Sequence, residues 1–136
     1  MSTFKQIILI DDDYATNFYH EIVVNDFGQV EEHLFFSSTI EALAYFKQKE
    51  KEDPQLLPEI IFLDINLPEM TGWEFLDEFK LLKLSPMPTI VMLSTSMNPL
   101  DKVKAEENPL VLELMDKPLT IEYLSNLKSK LSAASI

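Results

Sequence analysis

The strongest constraint on the fold is an alternation between short, strand-like runs rich in apolar residues and longer stretches with apolar residues at helical spacing. The apolar runs have the length of β-strands, and they occupy residues 7–10, 30–36, 60–63, 89–93 and 111–115. A stretch with helical periodicity follows each run. Strict alternation of this kind is typical of a parallel sheet that is flanked by helices. The sequence therefore predicts an α/β fold with five strands and five helices.

The polarity of each run predicts its place in the sheet. Residues 7–10 and 60–63 are entirely apolar, as strands covered on both faces must be. Residues 30–36 and 111–115 are interrupted by acidic side chains, which suit edge strands. With right-handed crossovers, the order 2-1-3-4-5 places the polar strands at the edges. We therefore predict a doubly wound, five-stranded parallel sheet.

Two of the helices carry specific expectations. The first helix should end near Gly28, and its buried stripe is predicted from i, i+3, i+4 and i+7 spacing to be Ala15, Phe18, Tyr19 and Ile22. The helix that begins after Asn98 has Leu100 and Val103 as almost its only apolar residues, so it should be short and weakly anchored. The charged stretch 48–58, with Pro54 and Pro58, is expected to be a helix end and a loop.

Length and composition restrict the domain count and the classes of function. A chain of 136 residues, 46% of them hydrophobic, suits one domain, 1–136, with a core at about 5–131. Because 18 residues follow Pro118, we expect no output domain. The net charge is −12 and every basic residue is lysine, which argues against nucleic-acid binding. The absence of cysteine excludes thiolate chemistry. Without a membrane span or a signal peptide, we expect a cytoplasmic protein.

Polar side chains stand at the predicted carboxyl ends of the strands, which meet at the ligand-binding edge of an open α/β sheet. They are Asp11, Asp12, Asp64, Ser94 and Lys117. Three carboxylates in one crevice repel one another unless a cation shares the site. Mg²⁺ suits these oxygen ligands best, because no His or Cys is at hand for a softer metal.

A carboxylate beside Mg²⁺, a hydroxyl and an ammonium is suited to phosphoryl transfer. The metal and Lys117 would neutralise phosphoryl oxygens, Ser94 would donate a hydrogen bond, and a carboxylate would be the nucleophile. Each of these polar residues, taken alone, also has an ordinary explanation. The acids at 11–13, for example, could stabilise the N-terminus of a helix, and we expect this role for Asp13. The residues themselves leave open which carboxylate is the nucleophile.

Four motifs give the chain a specific resemblance. They are Ile-Leu-Ile-Asp-Asp at 8–12, Phe-Leu-Asp-Ile-Asn-Leu-Pro at 62–68 with Gly72 eight residues past Asp64, Ser94, and Lys117-Pro118. In this order and spacing, they resemble the response regulator receiver domain of two-component signalling, over nearly the whole chain. The resemblance implies the flavodoxin-like receiver fold and single-domain, chemotaxis-type regulation.

The resemblance also implies a role for each site residue. Asp64 would accept a phosphoryl group from a phosphohistidine on a sensor histidine kinase or a phosphotransfer protein. Asp12 would bind Mg²⁺ directly, Asp11 would bind it mainly through water, and Asn66 would contribute its backbone carbonyl. Ser94 and Lys117 would contact the phosphoryl group. The Lys117-Pro118 peptide is expected to be cis. Such a protein is a signalling phosphoacceptor and not a conventional enzyme, although it promotes its own phosphorylation and dephosphorylation. Its output would pass by protein contact, at a face formed by helix four, strand five and helix five, or by phosphorelay.

The chain departs from the usual receiver pattern at several positions. Leu114 stands where an aromatic residue is usual, so we expect coupling to run mainly through Ser94 and the backbone. Asn108-Pro109 replaces a Gly-Ala turn, and Thr95 is bulkier than the usual residue beside the hydroxyl. Asp116 adds a fourth acid close to the site, which we expect to be exposed.

Two alternative functions remain at this level. Asp11 and Asp13 have the spacing of the two acids in haloacid-dehalogenase-type phosphatases, but Ala15 stands where a threonine is usual and the motif around Asp64 would be unexplained. A degenerate receiver that binds partners without phosphorylation ranks low, because all acceptor-site residues are present.

Overall fold

Strands and helices alternate along the chain, as the sequence predicts. The computed structural model describes residues 3–52, 58–84, 86–95 and 98–134, so part of the loop expected at 48–58 lies outside the described residues. The strands are β1 (Phe4–Ile10), β2 (Val30–Phe36), β3 (Ile60–Asp64), β4 (Thr89–Ser94) and β5 (Val111–Asp116). The helices are α1 (Tyr14–Phe27), α2 (Thr39–Glu52), α3 (Gly72–Phe79), α4 (Pro99–Glu107) and α5 (Ile121–Ala134). Within the described ranges, no helix is long and apolar enough to cross a membrane.

The five strands form one parallel sheet in the order β2-β1-β3-β4-β5, which confirms the predicted topology. Every residue of β3 is buried, whereas β2 and β5 at the edges are partly exposed. Alternate residues of β1 point to opposite faces of the sheet: Ile8 and Ile10 join one core, and Ile7 and Leu9 join the other. The continuous apolar runs are therefore the central strands, which are covered on both faces.

Each face of the sheet is covered by helices. On one face, α2 and α3 contribute Phe46, Phe75 and Phe79 to the core, and the rings of Phe46 and Phe79 meet edge to face with centroids 5.0 Å apart. On the other face, the core is completed by Val24 of α1 and Leu127 of α5. This doubly wound arrangement leaves the carboxyl ends of the strands open along one edge of the sheet.

The predicted buried face of α1 is wrong. The helix ends at Gly28, as expected, which takes a left-handed conformation with φ of 71°. The predicted stripe lies outward, with Phe18 59% exposed, Tyr19 47% and Ile22 43%. The buried residues are His20, Val23, Val24 and Phe27, which have the same spacing. Periodicity alone could not distinguish two stripes with the same spacing. The stripe that is buried begins with a histidine whose imidazole forms a hydrogen bond with the backbone.

Helix α4 is short and weakly anchored, as predicted. Among its nine residues, Ala105 alone is buried, while Leu100 is 69% exposed and Val103 47%. Polar contacts with α3 supplement this small apolar anchor. The indole Nε1 of Trp73 donates a hydrogen bond to Asp101 Oδ1 at 2.9 Å, and the Lys104 ammonium lies 5.9 Å from the centre of the Trp73 ring. Trp73 therefore helps to set the position of α4.

We expect Trp73→Phe to loosen α4 selectively. The variant keeps an aromatic ring but removes the N–H donor to Asp101, which weakens the attachment of α4 by about 1 kcal/mol. Hydrogen exchange measured by mass spectrometry should be faster across α4 and unchanged in β1 and β3. Lys102→Ala, an exposed position on the same helix, is the control and should leave exchange unchanged. Wild-type exchange rates in α4 of Trp73→Phe would show that this contact does not hold the helix.

Candidate functional site

The register of the sheet brings the predicted site residues to one edge. Ile10 of β1 pairs with Leu63 of β3, so Asp11 and Asp64 are the next residues on neighbouring strands. Asp64 pairs in turn with Leu93 of β4. Ser94 and Lys117 complete this edge, because Ser94 ends β4 and its carbonyl accepts the backbone N–H of Lys117 at 2.9 Å. Parallel pairing alone therefore assembles residues from the first, third, fourth and fifth strands.

Three carboxylates converge at this edge. Asp11, Asp12 and Asp64 each offer an oxygen atom, and these atoms all lie within 4.8 Å of one another. Asp11 and Asp64 are buried, at 2% and 5% exposed, while Asp12 faces solvent. Asn66 follows in the next loop, and its backbone N–H donates to Asp64 Oδ1 at 3.4 Å. An all-oxygen cluster of this kind could hold a hard divalent cation.

Lys117 provides the positive charge of the site. Its ammonium lies 2.5 Å from Asp11 Oδ2 and 3.3 Å from Asp64 Oδ1, and its side chain is 10% exposed. Ser94 beside it is fully buried. The peptide bond between Lys117 and Pro118 is cis, which confirms the expectation. The Lys117 ammonium therefore reaches the carboxylates, and Ser94 ends the neighbouring strand at the same edge.

The electrostatics of the crevice favour a further cation. Burial raises the pKa of Asp64, the negative charge of Asp11 raises it further, and Lys117 offsets only part of the increase. Burial lowers the pKa of Lys117, but its hydrogen bond to Asp11 and the charges of Asp11 and Asp64 outweigh burial, so the pKa is raised overall. A single ammonium does not balance three neighbouring carboxylates, and a divalent cation would relieve the remaining repulsion.

Comparison with known proteins identifies the family. The model of the response regulator receiver domain family matches residues 7–127. The chain belongs to this family. It is therefore a receiver domain of two-component signalling.

Individual relatives agree with this assignment. A protein-glutamate methylesterase/protein-glutamine glutaminase from Agrobacterium fabrum is 33% identical over 94 residues, which make up 69% of this chain but only 24% of that protein. The crystal structure of a two-component response regulator from Cytophaga hutchinsonii is 33% identical, with a TM-score of 0.85 over 96% of this chain and 98% of that one. The Mn²⁺-bound form of response regulator Rcp1 is 26% identical, with a TM-score of 0.70 over 90% and 88% of the two chains.

Gly72 allows the start of α3 to approach the site. Its backbone N–H donates to the carbonyl of Ile65 at 2.9 Å, and a Cβ atom at this position would lie 2.6 Å from the carbonyl oxygen of Asp64. Any larger residue would push the start of α3 and the loop at 65–71 away from the end of β3. The sequence indicated the spacing of Gly72 from Asp64, but the close approach that requires glycine is a tertiary feature.

Asp13 has a structural position outside the carboxylate cluster. Its side chain caps α1 by accepting the backbone N–H of Thr16 at 3.1 Å. Hydrogen bonds from Thr16, first from its side chain and then from its backbone, lower the pKa of Asp13. This agrees with the interpretation of Asp13 as a helix N-terminal residue.

Sequence reasoning missed two polar residues of α1 that support the site. Asn17 Nδ2 donates to the backbone carbonyl of Asp11 at 2.7 Å, and the backbone N–H of Leu119 donates to His20 Nε2 at 3.0 Å. A signal was present, because His20 shares its stripe with apolar residues. A polar residue on a buried helix face needs a hydrogen-bond partner. The partner of His20 is 99 residues away in sequence, so the sequence does not reveal it.

The positions that depart from the usual receiver pattern differ in their distance from the crevice. A cavity of about 370 Å³ opens beside Lys117 and is lined also by Tyr19, Thr95 and Pro118. Thr95 is exposed at this opening, and Asp116 is exposed as expected. Leu114 is half-buried against the core on the α2 and α3 side of the sheet. Thr95 and Asp116 therefore lie beside the site, whereas Leu114 packs in the core and Asn108-Pro109 lies at the opposite end of β5.

Proposed function

We propose that this receiver domain accepts a phosphoryl group on Asp64 and uses Mg²⁺ to do so. The donor is a phosphohistidine of a sensor histidine kinase or of a histidine phosphotransfer protein, and the phosphoprotein signals by protein contact or by phosphorelay. The contacts of Asp64 carry the proposal: the Lys117 ammonium lies 3.3 Å from its carboxylate, and the carboxylates of Asp11 and Asp12 lie close by. The proposal treats the chain as one receiver unit and places it in the cytoplasm, where kinases phosphorylate histidine from ATP.

The reaction requires little from the protein beyond a placed nucleophile and positive charge. A carboxylate oxygen of Asp64 attacks phosphorus, the new O–P bond forms as the N–P bond to the donor imidazole breaks, and the imidazole leaves. The Lys117 ammonium and the Ser94 hydroxyl bind oxygens of the transferred group. The same residues then hold the aspartyl phosphate until water or an acceptor removes the phosphoryl group.

The metal would be held by the oxygen cluster. In the proposal, Asp12 and Asp64 bind Mg²⁺ directly, Asp11 binds mainly through water, and Asn66 contributes its backbone carbonyl. When bound, Mg²⁺ supplies charge that neutralises phosphoryl oxygens. The donor set supports this assignment, because Mg²⁺ prefers carboxylate and carbonyl oxygens. The Mn²⁺-bound structure of the similar regulator Rcp1 adds support for a divalent cation.

The position of Asp13 disfavours the phosphatase alternative. That mechanism needs a second acid two residues after a nucleophilic Asp11, but both the N–H and the hydroxyl of Thr16 donate to the Asp13 carboxylate. The Asp11 carboxylate is paired with Lys117. Asp64 is the better candidate for the nucleophile, because the loop at 65–71 and Gly72, which belong to the receiver motif, directly follow it in the chain.

We expect acetyl phosphate with Mg²⁺ to phosphorylate the protein on Asp64. Peptide mapping by mass spectrometry after borohydride trapping should place the adduct on this residue. Asp64→Asn should abolish labelling, whereas Asp116→Asn, which removes an exposed acid nearby, should retain it. Labelling of Asp11 in the wild type would favour the phosphatase, and full labelling of Asp64→Asn would contradict the proposal.

Mg²⁺ should stabilise the unphosphorylated protein. A ligand that binds only the folded state at about 100 times its dissociation constant raises the free energy of unfolding by about 2.7 kcal/mol. Urea denaturation should show this increment in the wild type and lose most of it in Asp12→Ala. Asp13→Ala is the matched control, because it removes the adjacent acid and the helix cap but leaves the cluster complete. An unchanged increment in Asp12→Ala would place the metal elsewhere.

The proposal assigns output to the face formed by α4, β5 and α5. Ser94 and Lys117 flank the chain segment that contains α4, the helix with the smallest apolar anchor. A groove of about 350 Å³ runs between α4 and β5 and is lined in part by Ala105, Leu112 and Leu114. We assign it to a downstream protein that inserts an apolar side chain and presents a basic surface, since this chain has a net charge of −12.

We expect beryllofluoride, a mimic of the phosphoryl group, to change hydrogen exchange mainly between Ser94 and Lys117. New hydrogen bonds to these two residues should shift the weakly packed α4 more than any other helix. Exchange should be compared with and without the mimic in the presence of Mg²⁺, and Asp64→Asn treated identically is the control. Changes confined to α1 and α2 would put the signalling face on the wrong side of the molecule.

A further inference from the structure

His20 is the one buried titratable residue in the described ranges that the proposed reaction does not use. It is 1% exposed, and the other buried ionisable side chains are Asp11 and Asp64. The imidazole lies on the core side of α1, in a stripe whose remaining members are apolar. An apolar residue would fill such a position without the cost of burying two ring nitrogens. The histidine therefore needs an explanation in its contacts.

The contact that distinguishes His20 is a hydrogen bond to the loop after Lys117. Nε2 accepts the backbone N–H of Leu119 at 3.0 Å, and both partners are fully buried. Pro118 has no N–H, so Leu119 is the first residue after Lys117 that can anchor the loop through a backbone donor. The backbone N–H of Lys117 itself donates to Ser94. Two hydrogen bonds, one on each side of Pro118, thus hold the backbone from which the lysine side chain extends.

The protonation state of the His20 imidazole is consistent with its accepting a hydrogen bond from Leu119. Because Nε2 accepts a hydrogen bond, the neutral ring carries its proton on Nδ1, for which the described residues provide no hydrogen-bond partner. Burial lowers the pKa of His20, Asp11 raises it in part, and Lys117 lowers it, so the ring is neutral at pH 7 and Nε2 is available as an acceptor. The unpaired Nδ1 is a cost of burying the imidazole.

Asn17, one turn earlier on α1, contacts Asp11, the residue that forms an ion pair with Lys117. Its Nδ2 atom donates to the backbone carbonyl of Asp11, whose carboxylate lies 2.5 Å from the Lys117 ammonium. Helix α1 therefore contacts the backbone next to both members of this ion pair, through Asn17 on one side and His20 on the other. Both contacts are hydrogen bonds to backbone groups, one in Asp11 itself and one two residues after Lys117.

We propose that His20 is a positioning residue for phosphoryl transfer, which fixes the Lys117 loop through Leu119 so that the ammonium meets the phosphoryl group at Asp64. The inference rests on the proposed function. His20 touches neither the phosphoryl group nor the metal in this proposal. Its effect should therefore fall on the rate of phosphorylation and not on the binding of Mg²⁺.

Three substitutions at position 20 separate positioning from simple packing. His20→Leu fills the space but leaves the Leu119 N–H without an acceptor. His20→Gln places a carbonyl oxygen near the former position of Nε2, whereas His20→Asn is equally polar but too short to reach. We measure the rate of phosphorylation by saturating acetyl phosphate and, separately, Mg²⁺ affinity from a titration.

We expect His20→Leu and His20→Asn to be phosphorylated roughly tenfold more slowly, since small displacements of a positioned group cost one to two orders of magnitude in rate. His20→Gln should recover most of the wild-type rate, and Mg²⁺ affinity should not weaken in any of the three. Phe27→Leu, at the far end of the same buried stripe, controls for lost packing and should phosphorylate at the wild-type rate. If His20→Leu fails to fold, the comparison of Gln with Asn still decides the question.

A double-substitution cycle tests whether His20 acts through Lys117. Once Lys117→Ala has removed the ammonium, adding His20→Asn should cause no further loss of rate, because coupled residues are not additive. Additive losses would overturn the proposal. Equal phosphorylation rates for His20→Gln and His20→Asn in the protein that retains Lys117 would also overturn it. If the wild type is not phosphorylated at all, the proposed function fails. If the wild type is phosphorylated and His20→Asn is equally fast, only the role of His20 fails.

Discussion

The buried contact between the Lys117 ammonium and the carboxylates of Asp11 and Asp64 is the interaction on which the site depends. It joins the first, third and last strands, and its two ends at Asp11 and Lys117 are 106 residues apart in sequence. Removing one partner of a buried ion pair leaves an uncompensated charge, which is far more costly than the loss of a surface pair. The Lys117 ammonium also opposes the effect of burial and of Asp11, which raise the pKa of Asp64. The order of the strands and the chemistry of the crevice are therefore coupled.

Much of the fold follows from the sequence because its signals are local. The fully apolar runs that became β1 and β3 and the acidic interruptions in β2 and β5 determine which strands lie inside, and the crossover rule then restricts the order of the sheet. The charged and polar residues at the strand ends follow from the same reasoning, since parallel strands end at a common edge. The weak packing of α4 is also visible in the sequence, because Leu100 and Val103 stand nearly alone.

What could not be predicted depends on contacts between distant segments. The exposed stripe of α1 and its buried stripe have identical spacing, and only the bond from Leu119 to His20 explains why a histidine faces inward. The requirement for glycine at position 72 arises from the carbonyl oxygen of Asp64. The attachment of Trp73 to Asp101 joins two helices that the sequence gives no reason to pair. In each case a local pattern is compatible with several partners, and tertiary packing selects one.

The two sides of the crevice differ in how firmly they are held. On the α1 side, Asn17 and His20 bond directly to the backbone beside the charged residues. On the α4 side, one buried alanine and the polar contacts of Trp73 carry the attachment. In the proposed function, a change of charge at the centre therefore shifts α4 more than α1, because α4 is the more weakly attached of the two helices.

The place of Trp73 has an optical consequence. It is the single tryptophan in the sequence, so the intrinsic emission of the protein above the tyrosine band comes from one indole. That indole donates a hydrogen bond to the carboxylate of Asp101 and has the ammonium of Lys104 5.9 Å from the centre of its ring, and both charged groups belong to α4. Movement of the helix changes the electric field and the quenching groups around the ring. The chain thus contains its own fluorophore beside α4, so the proposed movement of this helix can be tested by stopped-flow and single-wavelength measurements without an added label.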